Sequence, residues 1–229
     1  MKIAIIPARS GSKRIPNKNI KNFKGLPIIA QTLKIVINSR LFDKVIVSTD
    51  CKKIAKISKK YKAEVPFIRP KIISGDYAST QKVIKHCINW LRAKKVFPKF
   101  VCCIYPTAVF TNSNDLTNGY KKIKTNKWDY VFSGGKYYSS IFRSFKKNKG
   151  DGLKMIFPKY YNKRTQDLPE TFHDAGQFYW GKTDTWVNLK PIFSKNSHIH
   201  EISRLRIHDI DTLEDWKIAQ KMWKLRRIK

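Results

Sequence analysis

Short, wholly apolar runs alternate along this chain with longer stretches whose apolar residues recur at helical spacing. Residues 2–8, KIAIIPA, read as a strand, and residues 28–39, IIAQTLKIVINS, carry the helical pattern. A second strand, KVIVSTD (44–50), ends in a polar turn and leads into a helix at 52–62 and a short strand near EVPFI. Residues 79–93 are patterned as a helix, and FVCCIYPTA (100–108) is apolar throughout, as in a strand covered on both faces. A helix at 115–126 and a strand at 129–135, DYVFSGG, continue the rhythm. This β-α repetition predicts an α/β fold built on a doubly wound, mostly parallel sheet.

The rhythm breaks after residue 136. Residues 137–172 are aromatic and basic, hold a GDG turn and show no long helical pattern. They predict a small inserted β-rich lobe, suited to dimer contacts or to closing over a ligand. HDAGQFYWG (173–181) then reads as a strand, and LEDWKIAQKMWKLRR (213–227) as an amphipathic helix. With no internal repeat and no low-complexity linker, residues 1–229 read as one domain carrying the lobe at 137–172.

Composition changes the picture in one respect. The hydrophobic fraction of 41% and aromatic fraction of 13% suit a folded chain, but the formal net charge is +32. Such an excess suggests nucleic acid. The lysines are nevertheless spread over the whole chain, and no helix-turn-helix, zinc-finger or RNA-recognition signature accompanies them. Nonspecific polyanion binding stays open as an alternative function, with no specific nucleic-acid partner expected. No apolar run is long enough to span a bilayer, and the opening residues read as a strand rather than a signal peptide, so a cytoplasmic protein off the membrane is expected. Cys51 and Cys87 are isolated and Cys102 adjoins Cys103 with no spacer, the usage of small buried hydrophobes. His198 and His200 are separated by one residue, so if that stretch were a strand they would share a face, but no third ligand stands at supporting spacing.

The candidate chemistry gathers where strands end. In open α/β sheets ligands bind beyond the carboxyl ends of the strands. There the first strand runs into PARSGSKRIPNKN (7–19), where Arg9, Lys13, Arg14 and Lys18 surround Ser10, Gly11 and Ser12. Small residues let backbone N–H groups approach a ligand, and the cations suit a polyphosphate. The segment is neither a Walker A loop nor a dinucleotide-binding glycine motif. Near the other end, Asp209 and Asp211 are two residues apart, so an extended backbone points both carboxylates the same way, toward a hard cation such as Mg²⁺. Alternatively, Asp211 or Thr212 caps the following helix.

Taken in order, PARSGSKRIPNKN, FDKVIVSTD, EVPFIRP, GDYAST, YPTA, RTQDLP and HDIDTLEDW cover the full chain. Together they resemble the CMP-sialic acid synthetase family, the cytidylyltransferases that activate nine-carbon acidic sugars. HDAGQFYWG stands where many members carry an Arg-Pro-Asn-Gly-Ala-type segment. With CCIYPTA, it is similar to the branch acting on pseudaminic acid. The resemblance implies a Rossmann-like sheet of the nucleotidyltransferase type and Mg²⁺-dependent transfer of CMP from CTP to the anomeric hydroxyl of a nonulosonic acid, with release of pyrophosphate. It also implies a homodimer. Arg9, Ser12, Lys13, Lys18, Asn19, Arg69 and Thr80 would hold the nucleotide. Arg9 and Lys18 would lie at the reacting phosphates, and Asp209, a metal ligand with Asp211, would be a candidate base. Without the resemblance, Arg69 reads as a surface arginine ahead of a proline. Tyr105, Thr107, Arg164, Gln166, His173, Asp174, Gln177 and Tyr179 would line the sugar. Arg164 would fork onto the sugar carboxylate, although many relatives have a second arginine where this chain has Thr165. Sialic and legionaminic acids are the alternative sugars. A glycosyltransferase with an Asp-x-Asp metal site is a competing class, although its acidic pair usually follows a central strand.

Overall fold

The computed structural model describes residues 1–225. The strands are β1 (Lys2–Pro7), β2 (Asn22–Phe23), β3 (Leu26–Pro27), β4 (Lys44–Ser48), β5 (Phe100–Ile104), β6 (Tyr130–Lys136), β7 (Phe145–Lys147), β8 (Leu153–Met155), β9 (Phe172–Lys182) and β10 (Ser197–Glu201). The α-helices are α1 (Ile28–Asn38), α2 (Lys52–Lys60), α3 (Thr80–Ala93), α4 (Ser113–Lys124), α5 (Thr183–Val187) and α6 (Leu213–Leu225). The expected final helix is therefore present to Leu225, and Arg226 and Arg227 lie outside the described residues.

Six strands form the central sheet in the order β10-β6-β9-β5-β1-β4. β1 pairs in parallel with β4 and β5, and β10 pairs in parallel with β6. β9 runs antiparallel to both of its neighbours, so the mostly parallel sheet carries one reversed strand near its middle. Side-chain alternation along β1 explains the layering. Ala4 and Ile6 face Ile29 and Leu33 of α1, with α2 and α4 on the same side. Ile3 and Ile5 face Ile84, Cys87 and Ile88 of α3, and Trp186 of α5 lies on that side. Both faces are covered, which is why β1 and β5 are apolar at successive positions.

A third cluster matters most for the site. Ile15, Phe23, Ile28, Val109, Phe110 and Ile210 pack with Trp216 and Ala219 of α6. Ile15 belongs to the cationic loop, and Ile210 lies between the two aspartates; both are fully buried. Burying an isoleucine contributes roughly 1.5–3 kcal/mol, so this cluster fastens two distant stretches of chain together.

β10 was not foreseen as a sheet strand; Ser197 and the two histidines mask it as polar. The lobe holds a single hairpin, β7–β8, whose turn includes Asp151 in the left-handed region at φ 59°. Short 3₁₀ turns and irregular chain make up much of the remainder.

Candidate active site

The loop after β1 is held at both ends. Ser10 donates from its backbone N–H and its hydroxyl to Asp50 Oδ1 and Oδ2, each at 2.8 Å. Asn19, nearly buried, donates through Nδ2 to the Arg9 carbonyl at 2.9 Å, while its Oδ1 has no partner among the described residues. Between these anchors a cleft of about 320 Å³ is lined by Arg9, Ser12, Lys13, Arg14, Lys18, Asn19, Asp76 and Asp211. All five loop residues expected to hold the nucleotide therefore share one cavity. Arg14 and Asp76 belong to it too; both lay within quoted motifs, but only the fold brings them together.

The two acids are clasped by the loop's cations. Asp76 pairs with Arg9 Nη1 and Lys13 Nζ at 2.6 Å each, and these hydrogen bonds, led by that from Lys13, hold its carboxyl below the usual range. Asp211 pairs with Arg14 Nη2 at 2.7 Å and Lys18 Nζ at 3.1 Å. Lys18 Nζ also donates to the Ile210 carbonyl at 2.7 Å. Thr212 and Asp215 cap α6 reciprocally: Asp215 N donates to Thr212 Oγ1 at 3.1 Å and Thr212 N to Asp215 Oδ2 at 2.7 Å. The Asp211 carboxylate is thus not needed as the cap and faces the cleft.

Asp209 shows the electrostatics of a carboxylate cluster. Its pKa is raised from the ordinary value by desolvation, then by Asp211 and, more weakly, Asp174; Lys18 opposes the rise. Asp174 is brought into range by an irregularity in β9, where two steps along β6 from Phe132 to Gly134 oppose five along β9. Gly176 turns that corner at φ +61°, a conformation that favours glycine, and donates its N–H to Asp174 Oδ1 at 2.9 Å. Among the described residues no three His, Cys, Asp or Glu side chains form a ready-made metal cage. Asp211 lines the cleft, and Asp209, outside that lining, is near enough to feel its charge; a carboxylate set of this kind fits Mg²⁺, which commonly takes one or two carboxylates and completes its shell with phosphate oxygens and water.

Arg9 also borders a smaller pocket of about 140 Å³, lined with Arg69, Ile73, Ser74, Gly75, Ala78, Thr80 and Tyr105 among others. Arg69 is buried, not the surface arginine its proline neighbour suggested. It donates through Nε to Ser74 Oγ at 3.2 Å, and burial lowers its pKa while Asp50 opposes that effect. Thr80 Oγ1 and the Tyr105 hydroxyl are 3.1 Å apart, so Tyr105 sits with the expected nucleotide residues. Burial pushes the Tyr105 phenol up to about 12 and that of Tyr179 further still, leaving both protonated donors at neutral pH. Tyr179 donates to Asp174 Oδ2, and its ring lies 5.4 Å from that of Tyr105. A polar track thus runs from Thr80 to Asp174.

Beyond Asp174 lies a mainly aromatic cavity of about 430 Å³, with Phe132, Tyr137, Phe172, His173, Phe193 and Ile199 in its walls. His173 and Asp174, expected to line the sugar, lie together in this cavity; its aromatic walls were not expected, because they come from separate strands and loops. Gln177 is buried and donates to the Arg206 carbonyl, leaving Oε1 without a partner among the described residues. Thr107 is half-buried just after β5. Arg164 and Gln166 are elsewhere. They lie on the exposed lobe, where Arg164 pairs with Asp167 of its own turn at 2.8 Å and is 73% exposed. That local carboxylate accounts for its placement, and neither residue lines the three cavities described. His198 stacks on Trp128 and His200 contacts Asp115, both structural uses.

An open α/β sheet with a cationic cleft and a carboxylate pair at its carboxyl edge defines a nucleotidyltransferase-like architecture. A family model described as cytidylyltransferase matches residues 3–223, and the chain belongs to that family. It is 37% identical over 223 residues to the pseudaminic acid cytidylyltransferase of Campylobacter jejuni subsp. jejuni serotype O:23/36 (strain 81-176), covering 97% of this chain and 96% of that one. It is 26% identical to the CMP-N,N'-diacetyllegionaminic acid synthase of Legionella pneumophila subsp. pneumophila (strain Philadelphia 1), covering 97% and 96%. A solved CMP:2-keto-3-deoxy-manno-octonic acid synthetase, complexed with CTP, superposes with a TM-score of 0.74 at 13% identity over 98% of each chain, a likeness of fold.

Proposed function

We propose that the protein transfers CMP from CTP to the anomeric hydroxyl of pseudaminic acid, releasing pyrophosphate. The observation that carries this reading is the joining of the cationic loop to the carboxylate segment through Lys18, which contacts both Asp211 and the Ile210 carbonyl. In this mechanism Arg9, Lys13 and Lys18 neutralise the triphosphate, with Arg9 and Lys18 beside the α-phosphate where charge develops. The sugar hydroxyl oxygen attacks that phosphorus as the bond to the β-phosphate oxygen breaks. Asp209 takes the hydroxyl proton. A Mg²⁺ ion held by Asp209 and Asp211 would supply Lewis-acid polarisation of the phosphate and hydroxyl oxygens. Arg69, Thr80 and Tyr105 enclose the base and ribose; His173, Asp174 and Tyr179 meet the sugar. The likeness to a pseudaminic acid enzyme at 37% identity supports that sugar over sialic and legionaminic acids. The reading includes a cytoplasmic homodimer joined through the lobe, supported by the exposed apolar residues Tyr138, Phe145, Leu153 and Tyr161.

The test is to incubate the protein with CTP, Mg²⁺ and each of the three sugars, and to identify products by mass. A CMP-sugar with kcat/KM highest for pseudaminic acid is expected. No CMP-sugar from any of them overturns the activity, and a higher kcat/KM for another sugar overturns the choice.

A further inference from the structure

The acid opposite the phosphate loop is the feature the reaction leaves unexplained. Asp76 engages Arg9 and Lys13, two of the cations assigned to the triphosphate, each at 2.6 Å and each by a separate carboxylate oxygen. A carboxylate bridging two cations occupies the electrostatic place of a phosphate group. Asp76 belongs to residues 71–79, which join the buried Arg69 to α3 and include no buried residue. Ile72 and Tyr77 of that stretch are almost wholly exposed, so little apolar burial fastens it. Its remaining ties are few: Arg69 Nε to Ser74 Oγ, Ser74 Oγ to the Pro70 carbonyl, Lys82 N–H to Ser79 Oγ at the start of α3, and short turn hydrogen bonds. Yet Ile73, Ser74, Gly75 and Ala78 form a wall of the smaller pocket.

We propose that Asp76 is a carboxylate latch that closes residues 71–79 onto the phosphate loop when no nucleotide is bound, and that the nucleotide's phosphates displace it. The inference rests on reading the 320 Å³ cleft as the polyphosphate site. A phosphate reaching Arg9 and Lys13 brings negative charge against Asp76, so both cannot hold the same cations at low energy. The latch therefore lowers affinity for phosphate-bearing ligands, whereas toward the nucleoside, whose pocket wall the same segment forms, its loss brings no gain. Asp76 would thus set nucleotide affinity without touching the reacting atoms.

The experiment compares wild type with Asp76→Asn and Asp76→Ser. CTP, pyrophosphate and cytidine are titrated by calorimetry without divalent metal, and hydrogen exchange is followed across residues 71–79. The expected result is about three- to tenfold tighter CTP and pyrophosphate binding in both variants, the scale that two partly exposed ion pairs allow. Cytidine affinity should not rise, and exchange in 71–79 should be faster in the ligand-free variants. Circular dichroism verifies folding, which substitution of this exposed side chain should leave intact. Equal or weaker phosphate binding in both variants, or tighter cytidine binding of the same size, overturns the latch. If wild type binds neither CTP nor pyrophosphate, the polyphosphate reading falls and the latch with it, an outcome distinct from failure of the latch alone.

Discussion

Asp209 and Asp211 illustrate how a two-residue period becomes a candidate site. Ile210 points into the cluster around Trp216 and is fully buried, while Asp211 faces the cleft and Asp209 feels both Asp211 and Asp174. An amide oxygen is a poor ligand for Mg²⁺, so Asp209→Asn and Asp211→Asn should each lower kcat by about 100-fold or more while the protein stays folded. The check is turnover at saturating Mg²⁺ alongside thermal unfolding; near-normal rates in both variants would refute the metal assignment. On the opposite wall, Arg9→Ala should lower kcat/KM for CTP by about 100-fold and change stability by only about 0.5 kcal/mol. Lys18→Ala should show a similar kinetic loss with about 1 kcal/mol of destabilisation, because Lys18 is mostly buried and bonded to the Ile210 carbonyl. Loss of stability with retained specific activity in both would rule out the phosphate-loop reading. The assignments at this scale divide by range. Arg9, Lys13 and Lys18 were legible because a strand, small residues and cations adjoin in sequence. Asp76 was hidden because its partner Arg9 is 67 residues away. Arg164 was named through resemblance alone, and its neighbour Asp167 engages it instead.

At the level of elements, hydrophobic period located the core strands and main helices, because strands covered on both faces and amphipathic helices leave unambiguous patterns. It could not reveal the reversal of β9, since a strand's side-chain pattern is the same in either direction. Nor did it reveal β10, whose polar residues meet partners visible only in the fold. One such partner is Asp115, which joins three elements. Its carboxylate completes the Asn112 capping box of α4, receives Arg206 through both terminal nitrogens and contacts His200 of β10 at 3.4 Å. Arg206 in turn accepts from Gln177 through its carbonyl, so Asp115 supports both the β9 irregularity and the approach to Asp209. Breaking such a buried pair leaves an unpaired guanidinium, and Asp115→Ala should cost about 3 kcal/mol in urea unfolding at pH 7. The pH dependence has a definite sign. Burial opposes ionisation of Asp115, but the hydrogen bonds from His200 and Arg206 outweigh it, leaving its pKa below the ordinary 3.8. The stabilisation is thus present above 3.8 and is lost as pH falls through the depressed folded value. The stability gap between wild type and Asp115→Ala should therefore narrow on acidification, and a gap that widens would contradict the assignment.

Over the whole molecule the net charge of +32 acts on every anion that approaches, substrate or not. The lysines are dispersed, and no helix among the described residues is long and apolar enough to cross a membrane. A dispersed positive field raises the local concentration of a multiply charged nucleotide and speeds encounter, without determining what is then bound. Screening acts on this field strongly, because the Debye length falls from about 10 Å at 0.1 M salt to about 3 Å at 1 M. Short contacts inside the cleft are screened less. The association rate of CTP, measured by stopped flow, should therefore fall by about tenfold between 0.05 and 0.5 M salt. Turnover at saturating substrates should change far less over the same interval. A sulfated polysaccharide should compete with CTP at the lower salt and cease to do so at the higher, as expected of counterion release without a built site. Polyanion binding that persists undiminished at 0.5 M salt would instead mark a specific polyanion surface. The Asp209→Asn variant separates the two roles, since it removes a carboxylate proposed to serve transfer but leaves the positive field in place. It should bind the polysaccharide at low salt at least as well as wild type while failing to make a CMP-sugar.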